Sequence, residues 1–153
     1  MVRVHHSNGV ITYVFEQLAS APVAAHVSTR HGGVSPEPYA SLNLGGGVGD
    51  DPGRVEENWR RLGRAAGFAP ERVVRGRQVH GAAVQVVRRR GGPPAECDAL
   101  VTAEAGPVLA VLAADCAPIY IVSGERPAVA LAHAGWRGCL AGVGPAAVAA
   151  LAR

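Results

Sequence analysis

The apolar residues of this chain come in short runs, and glycine, proline or a charged turn closes nearly all of them. VITYVF (10–15) and VAAHVS (23–28) have the length and β-branched content of strands. VVRGRQVHGAAVQVV (73–87) reads as two strand pieces around a glycine. PVLAVLAADCAPIYIV (107–122) reads as two buried strand segments broken at 114–118, and PAVALAHAGWRG (127–138) as a further strand. No run approaches the ~20 apolar residues of a membrane helix. There is no internal repeat and no heptad pattern. Strands mixed with helices, without strict alternation, predict a mixed α/β (α+β) layered sandwich. At 153 residues the chain fits one domain, 1–153, and its 48% hydrophobic content suffices for a core.

The helices carry their own punctuation. Asp51 is a natural N-cap, Pro52 suits the first helical position, and Gly67 is a stop. Between them Val55, Trp59, Leu62 and Ala66 fall on one face. Glu56 and Glu57 come early and Arg60, Arg61 and Arg64 late, which suits the helix dipole. CLAGVGPAAVAALAR (139–153) predicts a second helix, kinked or restarted at Gly144-Pro145. It is still apolar at Arg153, which suggests a fragment of something longer. The segment 29–52, TRHGGVSPEPYASLNLGGGVGDDP, holds too few core residues for a domain and is read as a functional loop, structured or flexible. RRRGGPP (88–94) is a surface turn. His5 and His6 lie in a frayed, solvated terminus, and His31 in the glycine loop.

Composition narrows the chemistry. All 15 basic residues are arginine. That removes a Schiff-base lysine, a lysine general base and a lysine-bearing phosphate loop. Any anion must be held by arginine, backbone N–H groups or a metal. A net charge of +3 and no aromatics around Arg88–Arg90 do not point to nucleic acid. MVRVHHSNG lacks the apolar middle of a signal peptide, so a cytoplasmic protein without a membrane anchor is expected. Three widely spaced cysteines (Cys97, Cys116, Cys139) are not a disulfide framework, and Cys97 and Cys139 are read as packing residues.

Three places share one design. A strand-like run ends on a metal-ligand type of side chain, followed by a small residue or proline: QVHG with His80, ADCAP with Cys116, AHAGWRG with His133. Two imidazoles and a thiolate suit zinc, and three protein ligands leave a fourth tetrahedral position open. Gly81 and Gly135 would let the backbone approach closely. The spacing alone favours the plainer reading of two core histidines and a buried cysteine, and a metal-free Cys116–His133 nucleophilic pair is a second rival. Asp115 could orient a ligand or carry a proton, against a turn carboxylate as the plainer role. Arg137 could clamp phosphate or simply stack on Trp136. Arg30 stands where strand gives way to glycine loop, a position for an anion contact or a loop ion pair. Asn43 could contact a polar ligand or hold its own loop. Gln78, two residues before His80, would share its face if the piece is a strand. GGGVG is not a nucleotide fingerprint, since no lysine follows and no GxGxxG opens a helix.

TRHGGVS, PYASLNLG and VGDDP, followed in order by QVHG, ADCAP and HAGWRG, resemble the YfiH/YlmD family. This is the family of the laccase-domain proteins, long labelled multicopper polyphenol oxidases. The resemblance runs from about residue 29 to residue 142. It implies a layered mixed α/β fold and a zinc site formed by His80, Cys116 and His133. It also implies purine nucleoside phosphorylase chemistry: adenosine, inosine, guanosine or methylthioadenosine with phosphate giving base and pentose 1-phosphate. Adenosine deamination is a second implied activity. Arg30 and Arg137 are then candidates for holding phosphate, Asp115 and Cys116 for catalysis, Asn43 and Gln78 for substrate contact. Copper is the less fitting ion, because one thiolate and two histidines do not assemble a multicopper cluster. Laccase-like activity, or a metal-stabilised interaction module without catalysis, remain the alternative functions. Members of the family are longer and continue past the helix near Cys139, so the chain is expected to lack their C-terminal portion. Position 31 is histidine, Ala117 replaces a larger apolar residue, and Gly144-Pro145 interrupts a normally continuous helix. The sequence sets neither the oligomeric state nor the preferred nucleoside.

Overall fold

The β-branched runs do pair into sheets, in two units described separately. The computed structural model describes residues 1–88 and 95–153; most of the turn expected at 88–94 lies outside them. The chain divides into Met1–Glu71 and Arg72–Arg153.

In the first unit, β1 (Val2–His5), β2 (Ile11–Val14) and β3 (His26–Ser28) form an antiparallel sheet in that order. The expectation of a frayed terminus is corrected here: Val2 pairs with Val14 and His5 with Ile11. VRVH forms a strand because alternation along a paired strand tolerates polar residues, here Arg3 and His5, on its solvent side. His6 is half-buried, with Nε2 3.0 Å from Thr12 Oγ1.

Helix α1 (Pro52–Ala66) starts as its sequence dictates. Asp51 Oδ1 accepts from the Arg54 N–H at 3.0 Å, Pro52 opens the helix, and Gly67 closes it at φ 77°. It buries Val55, Asn58, Trp59 and Leu62, while Arg60, Arg61 and Arg64 bridge back to Glu56 and Glu57. The loop before it is ordered by polar contacts. Asn58 Nδ2 donates to Ser35 Oγ and to the Asn43 carbonyl, both at 2.8 Å, and its Oδ1 accepts from the Val34 N–H at 2.9 Å. Ser35 Oγ donates in turn to Asp50 Oδ2 at 2.7 Å. The alternatives of a structured or flexible segment resolve to the first.

The second unit is built on a four-stranded sheet, β5 (Val84–Val86), β6 (Ala99–Thr102), β9 (Val129–Ala134) and β8 (Ala117–Val122), in the order β5-β6-β9-β8. β5 runs parallel to β6; the other pairs are antiparallel. A separate parallel pair joins β4 (Val73–Val74) to β7 (Val108–Leu109). On one face, Ala130, Ala132 and Ala134 of β9 and Ala99 and Val101 of β6 pack against Val143, Ala147 and Leu151 of α3 (Val143–Leu151). Small side chains on that face let the helix lie close to the sheet. Leu100 points the other way, with Val87 and Cys97, onto Val74 and Leu109. β6 is therefore buried on both faces, which its unbroken ALVT run reflects. The architecture is mixed α/β.

The end of the chain departs from the expected kink. The short helix α2 (Trp136–Leu140) begins before Cys139, and the break falls at Gly142, φ 82°, ahead of Gly144-Pro145. Pro145 occupies the first turn of α3, where the missing N–H has no partner to lose. Cys97 is a packing residue as read; Cys139, on α2, is exposed and is not.

Candidate metal centre

Alternation along β9 decides where His133 goes. Ala130, Ala132 and Ala134 face α3, so His133 lies on the opposite face, and it is only 3% exposed. Its Nδ1 is 2.8 Å from Asp98 Oδ1. A carboxylate accepts and cannot donate, so the ring proton sits on Nδ1 and the Nε2 lone pair is left for another partner.

His80 and Cys116 reach the same spot by other means than expected. Neither ends a strand. Cys116 immediately precedes β8, and the piece carrying Gln78 and His80 is a loop. QVHGAAVQVV alternates well enough to imitate a strand, but its backbone at His80 is left-handed, φ 60°. A non-glycine residue rarely holds that conformation. Asp98 holds it, accepting from the N–H groups of Val79 (3.1 Å), His80 (3.0 Å) and Gly81 (2.8 Å). Burial of Asp98 opposes its ionisation, but the hydrogen bonds from His133 and these three N–H groups outweigh it and hold the carboxyl below the usual carboxylate range. Sequence reasoning missed Asp98. It directly precedes β6, the strand buried along its whole length, where a charge has to be satisfied.

Ligand atoms of His80, Cys116 and His133 lie within 4.8 Å of one another, the one such group among the described residues. The two rings meet edge to face with centroids 4.9 Å apart. A side chain on Gly135 would place its Cβ 2.8 Å from His80 Cδ2 and 3.0 Å from Cys116 Sγ, so the cradle depends on that glycine. Gly81 does not share this role: a Cβ there would meet only ordinary contacts. Donors around a tetrahedral zinc stand roughly 3.5 Å apart at bond lengths of about 2.0–2.3 Å. Two imidazoles and a thiol at the observed separation fit such an ion once the donors draw in by about an ångström. His80, exposed on its loop, has room to move; His133 is fixed.

The remaining candidates divide. Asp115 is exposed, its Oδ1 3.7 Å from Cys116 Sγ. Burial, with the neighbouring Asp115 charge and hydrogen bond, pushes the Cys116 thiol up. Arg137 stacks over Trp136, 4.6 Å from the ring centre, and both are exposed at the start of α2. Gln78 is bound at both ends to Leu112, donating to its carbonyl and accepting from its N–H, each at 2.8 Å. In the first unit, Asn43 Nδ2 donates to Asp50 Oδ2 at 2.9 Å and holds its own loop. Arg30 donates through Nε to the Ala40 carbonyl at 2.6 Å.

Residues 24–153 match the family described as multi-copper polyphenol oxidoreductase laccase. The chain belongs to the YfiH/YlmD family. It is 52% identical over 125 residues to a purine nucleoside phosphorylase of Streptomyces coelicolor, covering 80% of this chain and 52% of that protein. It is 50% identical over 123 residues to the purine nucleoside phosphorylase YfiH of Escherichia coli, covering 79% and 49%. The crystal structure of YlmD from Geobacillus stearothermophilus superposes with a TM-score of 0.82 at 40% identity, covering 93% of this chain and 55% of that one. This YfiH/YlmD chain thus spans about half the length of the relatives it matches. Among its described residues no helix is long and apolar enough to cross a membrane.

Proposed function

We propose that this chain carries the zinc centre of a purine nucleoside phosphorylase, with adenosine deamination as a second activity of the same centre. The observation that supports this reading best is the convergence of His80, Cys116 and His133 within 4.8 Å, backed by Asp98 and cleared by Gly135. Relatives about half identical to it over the matched residues are purine nucleoside phosphorylases by name. His80, Cys116 and His133 hold the ion, which when bound supplies a Lewis acid and lowers the pKa of a coordinated water to about 7.

The chain's own residues shape the rest. Cys116 must lose its proton to act either as ligand or as nucleophile, and its place beside two imidazoles, His80 and His133, favours the ligand role. In phosphorolysis a phosphate oxygen bonds to C1′ as the bond from C1′ to the base breaks, and the base leaves with a proton. Asp115, exposed beside Cys116, is the proposed proton carrier, and Arg137 the proposed phosphate contact from the start of α2.

The test uses the chain as it stands, with H80A, C116A and H133A. Metal analysis should find zinc in the parent, and phosphate should drive hypoxanthine release from inosine. Each substitution should abolish both while circular dichroism stays unchanged. Undiminished base release in all three variants would end the reading. The matched family's description also names copper and polyphenol oxidation, and copper uptake with phenol-dependent oxygen consumption would favour that activity instead.

A further inference from the structure

Asp98 makes four hydrogen bonds and serves two ligands at once. Oδ1 meets His133 Nδ1 (2.8 Å) and the His80 N–H (3.0 Å); Oδ2 meets the N–H groups of Val79 (3.1 Å) and Gly81 (2.8 Å). The side chain is 0% exposed, so water does not stand in for any of these partners. The Asp98 carbonyl also accepts from the His133 N–H at 2.7 Å, locking the residue to β9 from both its main chain and its side chain. Every partner is a donor. The site demands a group that only accepts, and of the side chains of this size only an ionised aspartate does so.

We propose that Asp98 is a positioning residue of the metal centre: it sets which nitrogen of His133 is presented to the ion and folds the left-handed turn that carries His80. The inference rests on the metal-centre reading above. Its consequence follows from asparagine, which has the same shape but places an NH₂ at one end. If the amide NH₂ takes the Oδ2 place, it confronts the N–H groups of Val79 and Gly81, and the turn at His80 loses its anchor. If it takes the Oδ1 place, it confronts His133 Nδ1, and the imidazole must move its proton to Nε2, where it can no longer bind a metal. Either way one ligand is lost without any ligand being mutated.

The experiment measures zinc affinity by chelator competition for the full chain and for D98N. Histidine ¹⁵N spectra are recorded on the full chain before and after zinc, and circular dichroism checks the fold. D98N should bind zinc about 10–100-fold more weakly. In the parent without zinc, His133 should carry its proton on Nδ1. D98N affinity within about threefold of the parent, far short of the loss a ligand-orienting partner produces, would overturn the inference. So would a parent His133 protonated on Nε2, a result that needs no variant and stands even if D98N fails to fold. A parent that takes up no zinc overturns the metal-centre reading itself. A parent that binds with D98N undiminished overturns only the role given to Asp98.

Discussion

Gly135 has ordinary backbone angles, φ −72° and ψ 165°, so its conformation does not demand glycine. The space beside it does. In G135A the new methyl group would press on His80 and Cys116 while leaving β9 intact. We expect a folded protein whose thermal midpoint barely moves but whose zinc affinity falls by roughly tenfold or more, as displaced metal shells do. Asp98 has a different signature. An aspartate in the unfolded chain titrates near about 3.9, and in the fold this one releases its proton at lower pH. Its contribution to stability is therefore full above the unfolded value and is lost as pH falls through the lower folded value. Urea unfolding over an acid series should show that decline, and D98N should flatten it. His133 and Cys116 were legible in the sequence because apolar runs flank them. Asp98 was not, because AECDAL looks polar and nothing in the letters shows that its aspartate is buried beneath four donors.

Among the elements, α1 was the most readable: cap, first-turn proline, apolar face and stop all agree, and the helix forms where they say. Asn58 was the exception on its buried face. It reads as a polar interruption, yet it is the peg on which the preceding loop hangs. N58A would leave buried donors and acceptors without partners, each costing about 1–3 kcal/mol. We expect a loss of roughly 3 kcal/mol or more in urea unfolding, with faster protease cleavage between residues 29 and 51. The strands were readable as runs but not in their bounds. QVHG alternates like a strand, and only the left-handed backbone at His80, set by contacts distant in sequence, makes it a turn. The restart of the last helix was foreseen, but assigned to proline. Gly142 makes it, and G142A should cost about 1–2 kcal/mol for forcing a side chain into the left-handed region.

For the molecule as a whole, all three donors and Asp98 lie within Arg72–Arg153. An ion bound there stabilises by mass action. At about 100 times its dissociation constant zinc should add ~2.7 kcal/mol, and at roughly 2–4 °C per kcal/mol for a chain of this size the midpoint should rise by about 5–10 °C. Scanning calorimetry with and without zinc checks this, and H133A should abolish the shift. Family membership followed from an ordered set of motifs, each weak alone; the division into two units left no mark in composition or linker. The two tryptophans record that division. Trp59, 9% exposed with its indole N–H on the Leu44 carbonyl, belongs to one unit, and Trp136, 66% exposed, to the other. Their fluorescence should therefore start blue and red respectively, so a single emission spectrum, followed through denaturation with each tryptophan replaced by phenylalanine in turn, can time the melting of each half.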